Sequence, residues 1–306
     1  MPAVAALLSR LRLPLIAAPM FRVSGVDLVV AACRNGVIGA FPTANCRSVE
    51  ELDAWLTAIR AVEAAAPWCA NLIVHRSNPR MRDDLSVLLR HKPELVITSV
   101  GSPAGVVAPL HDAGALVFSD VASIRHAERA IEAGADGLIL LTAGAGGQTG
   151  WLNPFAFVRA VRRFFTGPLV LAGGIGDGQA LVAAQALGCD FGYMGTRFIA
   201  TTESMASPEY KKMLVESNAD DVLLTRAFTG LQTNMLRPSI VAAGLDPDDL
   251  PERGGIDVAA DLAADQPRRW RDIWSAGHSV SSVDQVVSVE TVIQRVATEY
   301  SAARAR

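Results

Sequence analysis

The chain has 306 residues, half of them apolar, and 28 Lys and Arg against 31 Asp and Glu, a net charge of −3. That length supports a large core, and balanced charge without a basic block argues against nucleic acid or an anionic membrane surface as partner. The longest apolar stretches, such as 13–20, fall well short of the roughly 20 residues of a membrane span. Arg10 and Arg12 interrupt the apolar N-terminus and no cleavage pattern follows, so no signal peptide is expected. Cys33, Cys46, Cys69 and Cys189 are scattered without a CxxC pair, which suits a reducing cytoplasm and argues against zinc or a disulfide framework.

Short apolar runs between breakers predict strands buried on both faces at 15–20, 37–41, 69–74, 95–100, 115–120, 137–142, 169–172 and 191–195. Helical patterns lie between them at 26–34, 49–65, 81–90, 104–113, 123–133, 155–165 and 179–187. Gly114, Gly134 and Gly188 follow three of these helices as stop signals. Eight strands alternating with seven helices is the rhythm of parallel βα units, and predicts an α/β fold, a (β/α)8 TIM barrel. A doubly wound open sheet fits less well, because its phosphate loop follows the first strand. Here that strand ends in Ala18-Pro19-Met20.

Beyond Thr196 the rhythm changes. The stretch 201–206 reads as a polar loop, and 208–217 as a helix with Pro208 near its start. A turn-rich charged run occupies 246–255, a mixed segment 261–275, and an amphipathic terminal helix 286–303. The expected organisation is a barrel core over 1–200 and a mainly helical C-terminal extension over 201–306, packed on the barrel as a lid.

The segments 169–178 (LVLAGGIGDG) and 191–198 (FGYMGTRF) each run from a strand through small residues toward a helix. Gly173 and Gly174 let backbone approach a ligand, and Asp177 is placed to cap the next helix. Two such adjacent ends form a phosphate cradle, the position it takes after strands seven and eight of a barrel. Chemistry in this fold belongs at the C-terminal strand ends, where His75, Asp120 and Gln148 stand out. His75 also reads as a surface loop histidine, and Asp120 as a cap for the helix near Ser123. Gln148 lies in a glycine-rich loop, 142–151, bracketed by Trp151 and Pro154, which mere connection does not explain.

This loop resembles the Glu-Ala-Gly-Gly-His-x-Gly signature of the nitronate monooxygenase (2-nitropropane dioxygenase) family, FMN enzymes with a TIM barrel. Ala17-Ala18-Pro19-Met20, Asn71-Leu72, Ala133-Gly134-Ala135-Asp136-Gly137, Ala172-Gly173-Gly174-Ile175, Gly195-Thr196-Arg197-Phe198 and Ala276-Gly277 add matches along nearly the whole chain. The resemblance implies FMN contacts at Ala18, Pro19, Met20, Asn71, Gly147, Ala172, Gly173, Gly174, Gly195 and Thr196. Flavin-dependent enoyl-thioester reductases share the signature.

Two departures qualify the match. The family's catalytic histidine falls on Gln148, and a lysine carried by many members after the fifth strand falls on Asp120. Glutamine donates and accepts hydrogen bonds but takes no proton. A neutral nitroalkane needs a base, whereas a preformed nitronate needs only an acceptor flavin and donors for its oxygens. Three readings therefore stay open: an FMN oxidase or monooxygenase acting on nitronates, an FMN reductase of an enone or enoyl thioester using NAD(P)H, and a flavin-binding protein without turnover. Proton transfer would pass to His75 or Asp120, with His278 a weaker candidate. The expected partner is a small-molecule substrate, with homodimer formation left open.

Overall fold

The computed structural model describes residues 2–251, 253–259 and 272–306. Its elements, in order, are α1 (Pro2–Leu8), β1 (Leu15–Ala17), α2 (Val26–Arg34), β2 (Ile38–Pro42), α3 (Val49–Arg60), β3 (Trp68–Ile73), α4 (Met81–His91), β4 (Leu95–Ser99), α5 (Ala104–Asp112), β5 (Leu116–Val121), α6 (Ile124–Glu132) and β6 (Gly137–Leu141). Then come β7 (Gly147–Gln148), α7 (Pro154–Val161), β8 (Leu169–Ala172), α8 (Gly178–Leu187), β9 (Phe191–Met194) and α9 (Thr196–Ile199). The remainder holds α10 (Pro208–Glu216), β10 (Val222–Thr225), β11 (Thr233–Leu236), α11 (Arg237–Ala242) and a terminal helix, α12 (Val289–Arg304).

Eight parallel strands, β1 to β6 with β8 and β9, close into a barrel through parallel pairing of β1 with β9. The expected (β/α)8 architecture is thus the observed one. Side chains alternate along each strand, and the inward set Ile16, Ile38, Cys69, Leu95, Ile97, Phe118, Ile139, Val170 and Phe191 forms one cluster joined by Val4 and Leu7 of α1. Phe118 and Phe191 meet edge to face at 6.2 Å. The outward set packs under the helices in two further clusters.

Helix α3 ends at Arg60, short of the expected 65. Pro67 disfavours helix at Ala66, and the chain must turn back for β3 to begin at Trp68. Ser48 caps this helix through Glu51 N–H, as Asp177 caps α8 through Ala180 N–H. The sequence reading had no place for α1, α11 or the antiparallel sheet of β10, β11 and β7. The mixed segment expected at 261–275 lies outside the described residues except for 272–275, as does Glu252 within the turn-rich run.

After β9 comes only the single turn α9 where a barrel helix is due. The chain instead leaves the barrel, and the missing helix arrives as α12. Its Val289, Val292, Ile293 and Val296 share one cluster with Leu28 and Ala32 of α2 and Leu181 and Ala184 of α8. Glu299 accepts from the Gly178 N–H at 2.9 Å, tying α12 to the start of α8. The segment between α9 and α12 is therefore an insertion over the mouth, held at both ends by the barrel. Ile293→Ala should cost about 2–5 kcal/mol, the range for truncating a fully buried aliphatic side chain. Val286→Ala, at a 41% exposed position just before α12, should stay within about 0.5 kcal/mol. Urea unfolding of the two variants compares them directly.

Candidate active site at the barrel mouth

Above the packed interior, the same alternation sends Ala18, Pro42, Asn71, Ser99, Asp120, Leu141, Ala172 and Tyr193 inward, and all eight line one cavity of about 270 Å³. The barrel's last inward layer is the floor of this cavity. Its walls come from the segments 19–23, 144–148, 173–175 and 195–196, and its roof from the insertion, including Leu231, Ile256, Val258 and Trp274.

The wall at β8 and β9 is made by the two strand ends from which a cradle was expected. Gly173 and Gly174 hold φ of 122° and 76°, a region costly for side-chain-bearing residues. A Cβ placed on Gly174 would meet no atom within 4 Å, so this strand end opens onto the cavity it lines. Asp177 already satisfies the α8 terminus, leaving the backbone of 173–175 and 195–196 as the edge presented to the cavity. Thr196 Oγ1 accepts from the Gly277 N–H at 3.0 Å, which seats the 276–279 turn beside the cradle.

Three polar groups rise from the floor. Asn71 Nδ2 donates to Ser99 Oγ at 3.1 Å, which fixes the amide. Asp120 stands on β5 directly above Phe118, its Oδ1 buried and without a hydrogen-bond partner. Burial pushes its carboxyl up to about 7 and drives the Tyr193 phenol well above its ordinary value. Ser123, not Asp120, caps α6, so capping does not account for this aspartate. Just beyond Ser99, Val100 adopts a φ of 57° at the cavity edge, a strained conformation for a β-branched residue of the kind found at binding sites.

Gln148 lines the cavity from a loop that is tightly held. Strand β7 pairs with β11, Thr233 opposite Gln148 and Asn234 opposite Gly147. The buried Asn234 amide donates to Ala145 O at 2.7 Å, and Thr149 Oγ1 donates to Thr142 O at 2.8 Å. Gly146 approaches the 276–277 backbone so closely that a Cβ would sit 2.7 Å from the Gly277 nitrogen. On the opposite wall, Tyr210 and Trp274 stack with ring centroids 5.0 Å apart, and the tyrosine hydroxyl donates to Ser275 O.

Of the residues singled out in the sequence, Ala18, Pro19, Met20, Asn71, Asp120, Gly147, Gln148, Ala172, Gly173, Gly174, Gly195 and Thr196 all line this one cavity. His75 is not among the lining residues: its Nδ1 sits 2.7 Å from Ser77 Oγ, which also accepts from the Val258 N–H. His278 is exposed, with its backbone N–H donated to Gly144 O. Ser99, Tyr193, Tyr210, Asn234 and Trp274 were not picked out. Strand parity alone would have found the first two, since Ser99 and Tyr193 share the inward phase of Ile97 and Phe191.

The model of the nitronate monooxygenase family matches residues 77–299. The chain belongs to this family. It is therefore an oxidoreductase of a flavin-dependent family, and the open cradle together with the unpartnered Asp120 oxygen fits such a group. Nitronate monooxygenase of Paraburkholderia phytofirmans is 27% identical over 296 residues, covering 81% of this chain and 80% of that protein. A Mycobacterium tuberculosis protein named as a 5-hydroxy-7a-methyl-1-oxo-octahydro-1H-indene-4-carboxyl-CoA dehydrogenase is also 27% identical, over 231 residues. That match covers 74% of this chain and 64% of the relative's length. The solved nitroalkane oxidase of Streptomyces ansochromogenes shares the fold, with a TM-score of 0.84 at 23% identity over 98% of this chain and 99% of that one. Among the described residues no helix is long and apolar enough to cross a membrane, and no cluster of His, Cys, Asp or Glu could hold a metal ion.

Gly174→Leu would put a side chain into the open space of the cradle. Flavin affinity should fall at least about tenfold, equivalent to about 1.4 kcal/mol of binding, with Gly174→Ala showing a smaller drop. Full occupancy in the leucine variant, read from the flavin-to-protein absorbance ratio, would remove the cradle from the cofactor site.

Proposed function

We propose that the chain binds FMN and oxidises preformed nitronates with dioxygen. The carrying observation is the make-up of the cavity. It joins one glycine-lined strand end to a floor of hydrogen-bonding groups, with the Gln148 amide, which takes no proton, on the cavity wall. A single cradle, without a GxGxxG fingerprint opening a βαβ unit, suits a mononucleotide rather than FAD. When bound, FMN supplies a two-electron acceptor that dioxygen can reoxidise.

The protein's part is binding, orientation and exclusion of water. The N–H edge of 173–175 and 195–196 would hold the phosphate. Asn71, fixed by Ser99, would hydrogen-bond the ring's polar edge. Gln148 would donate its amide to the substrate's oxygens, a role that needs no proton transfer. The stacked Tyr210–Trp274 pair and Leu231 close the cavity with apolar surface. For any proton that does move, Asp120 is better placed than His75, since only Asp120 lines the cavity.

A second reading, reduction of an enone or enoyl thioester with NAD(P)H, is supported by the mycobacterial relative named for a CoA-linked dehydrogenase. Anaerobic mixing separates the two: nitronates bleach the flavin in the first, NADH or NADPH in the second. Gln148→Ala should lower kcat on propyl-2-nitronate about 10²–10³-fold, as loss of an oxyanion-type donor does. Gln148→His should gain activity on neutral 2-nitropropane, which requires a base. An unchanged rate in the alanine variant would take Gln148 out of the reaction. Asn71→Ala should weaken FMN binding or shift its reduction potential, and spectroelectrochemical titration reads both.

A further inference from the structure

Asp120 is the floor group that neither packing nor the fold explains. A buried polar atom without a partner costs roughly 1–3 kcal/mol, so such atoms call for a reason. Capping is not that reason, because Ser123 performs it for α6. Pairing is not the reason either: among the described residues lining the cavity there is no Lys, Arg or His. The titratable groups that face the carboxyl are Cys69 on β3 and Tyr193 on β9, and burial raises both well above their ordinary values, which keeps them neutral. On the helices packed outside β5, His111 of α5 and Arg125, His126 and Arg129 of α6 are all exposed on the far side of the sheet.

A carboxylate in this position would be an anion with one oxygen buried and no cation among the described lining residues to pair with. A carboxylic acid would be neutral and would carry one O–H to give. We infer that Asp120 serves as a protonated acid that donates a hydrogen bond to an oxygen or nitrogen acceptor of the molecule seated on the cavity floor. The acceptor belongs either to the ring of FMN or to the substrate, a carbonyl or nitro oxygen, and the chemistry is the same. The inference rests on the FMN reading above. It gives the site a donor that works in acid and neutral solution and is lost as pH rises. The upward shift of the Asp120 carboxyl to about 7 agrees in direction. An acid whose folded value is raised is held protonated by the fold below that value, and the stabilisation disappears as pH climbs through it.

The test compares the wild type with Asp120→Asn and Asp120→Leu. Asparagine keeps an N–H donor of nearly the same shape and does not titrate; leucine keeps the bulk and has no donor. FMN binding to apoprotein is followed by fluorescence quenching from pH 5.5 to 8.5. In a second arm, binding of the neutral, non-titrating probe 2-cyclohexenone to FMN-loaded protein is followed by the flavin spectrum. At pH 6, Asp120→Asn should bind within about threefold of wild type in both arms, and Asp120→Leu about tenfold or more weaker in one of them. Above pH 7 the wild type should lose up to about tenfold per pH unit relative to Asp120→Asn, a ratio that cancels the titration of FMN itself.

A pH-dependent ratio in the first arm places the acceptor on FMN, and in the second arm on the substrate; either supports the proposal. A flat ratio in both arms overturns it while leaving the FMN reading intact. FMN that binds no protein at any pH overturns both. Independently of any ligand, the wild-type minus Asp120→Asn infrared difference at pH 6 should show the carbonyl stretch of a protonated acid. Its absence overturns the proposal even if FMN binds.

Discussion

A closed barrel of parallel strands fills its own interior, so its inward side chains have no freedom until the last layer. Below that layer, each inward position of this chain holds an aliphatic, aromatic or small residue packed to density, from Ile16 to Phe191. At the last layer nothing stands above, and the requirement to pack is lifted. Asn71, Ser99, Asp120 and Tyr193 occur only there. The polar floor is thus a consequence of where packing ends, and the site's location follows from strand length and parity more than from any loop.

That open layer must still be shielded from bulk water, and the chain's connectivity supplies the shield. By delaying the barrel's last helix until α12, the sequence places an insertion between β9 and its helix, with both attachment points on the barrel. Strand β11 then reaches across to β7 and pins the loop that carries Gln148, while Asn234 holds the same loop through Ala145 O. A loop free to swing would spread the glutamine amide over many positions; a paired one confines it to the cavity rim. Binding groups held by regular pairing act with less loss of conformational entropy than groups on a mobile segment.

The barrel was legible in the sequence because its signals are local. Strands buried on both faces read as unbroken apolar runs, Gly114, Gly134 and Gly188 mark helix ends with φ of 88°, 91° and 109°, and Asp177 sits where a cap must. The glycine-bearing strand ends that line the cavity at β8 and β9 were legible for the same reason. The insertion was not, since β7 spans two residues and β11 gains its meaning only by pairing with that distant segment, Asn234 opposite Gly147. Tyr193 was hidden by its neighbours: in Phe191-Gly192-Tyr193-Met194 it reads as one more buried strand residue. His75 drew notice as a titratable loop residue, but nothing local could show that its ring nitrogen would meet Ser77 and that it would not line the cavity.

The two departures that the resemblance implies, at Gln148 and at Asp120, would bear on one another. Histidine at the position of Gln148 would bring a group able to take a proton, and lysine at the position of Asp120 would bring a fixed positive charge to the floor. This chain has neither, so its cavity, among the described lining residues, carries no cationic side chain and a single carboxyl. A lone carboxyl in such surroundings has no cation to hold it ionised, and desolvation then favours the neutral form. With glutamine at 148 and no Lys, Arg or His among the described lining residues, the cavity offers Asp120 no partner charge, which is the setting the proposed acid requires.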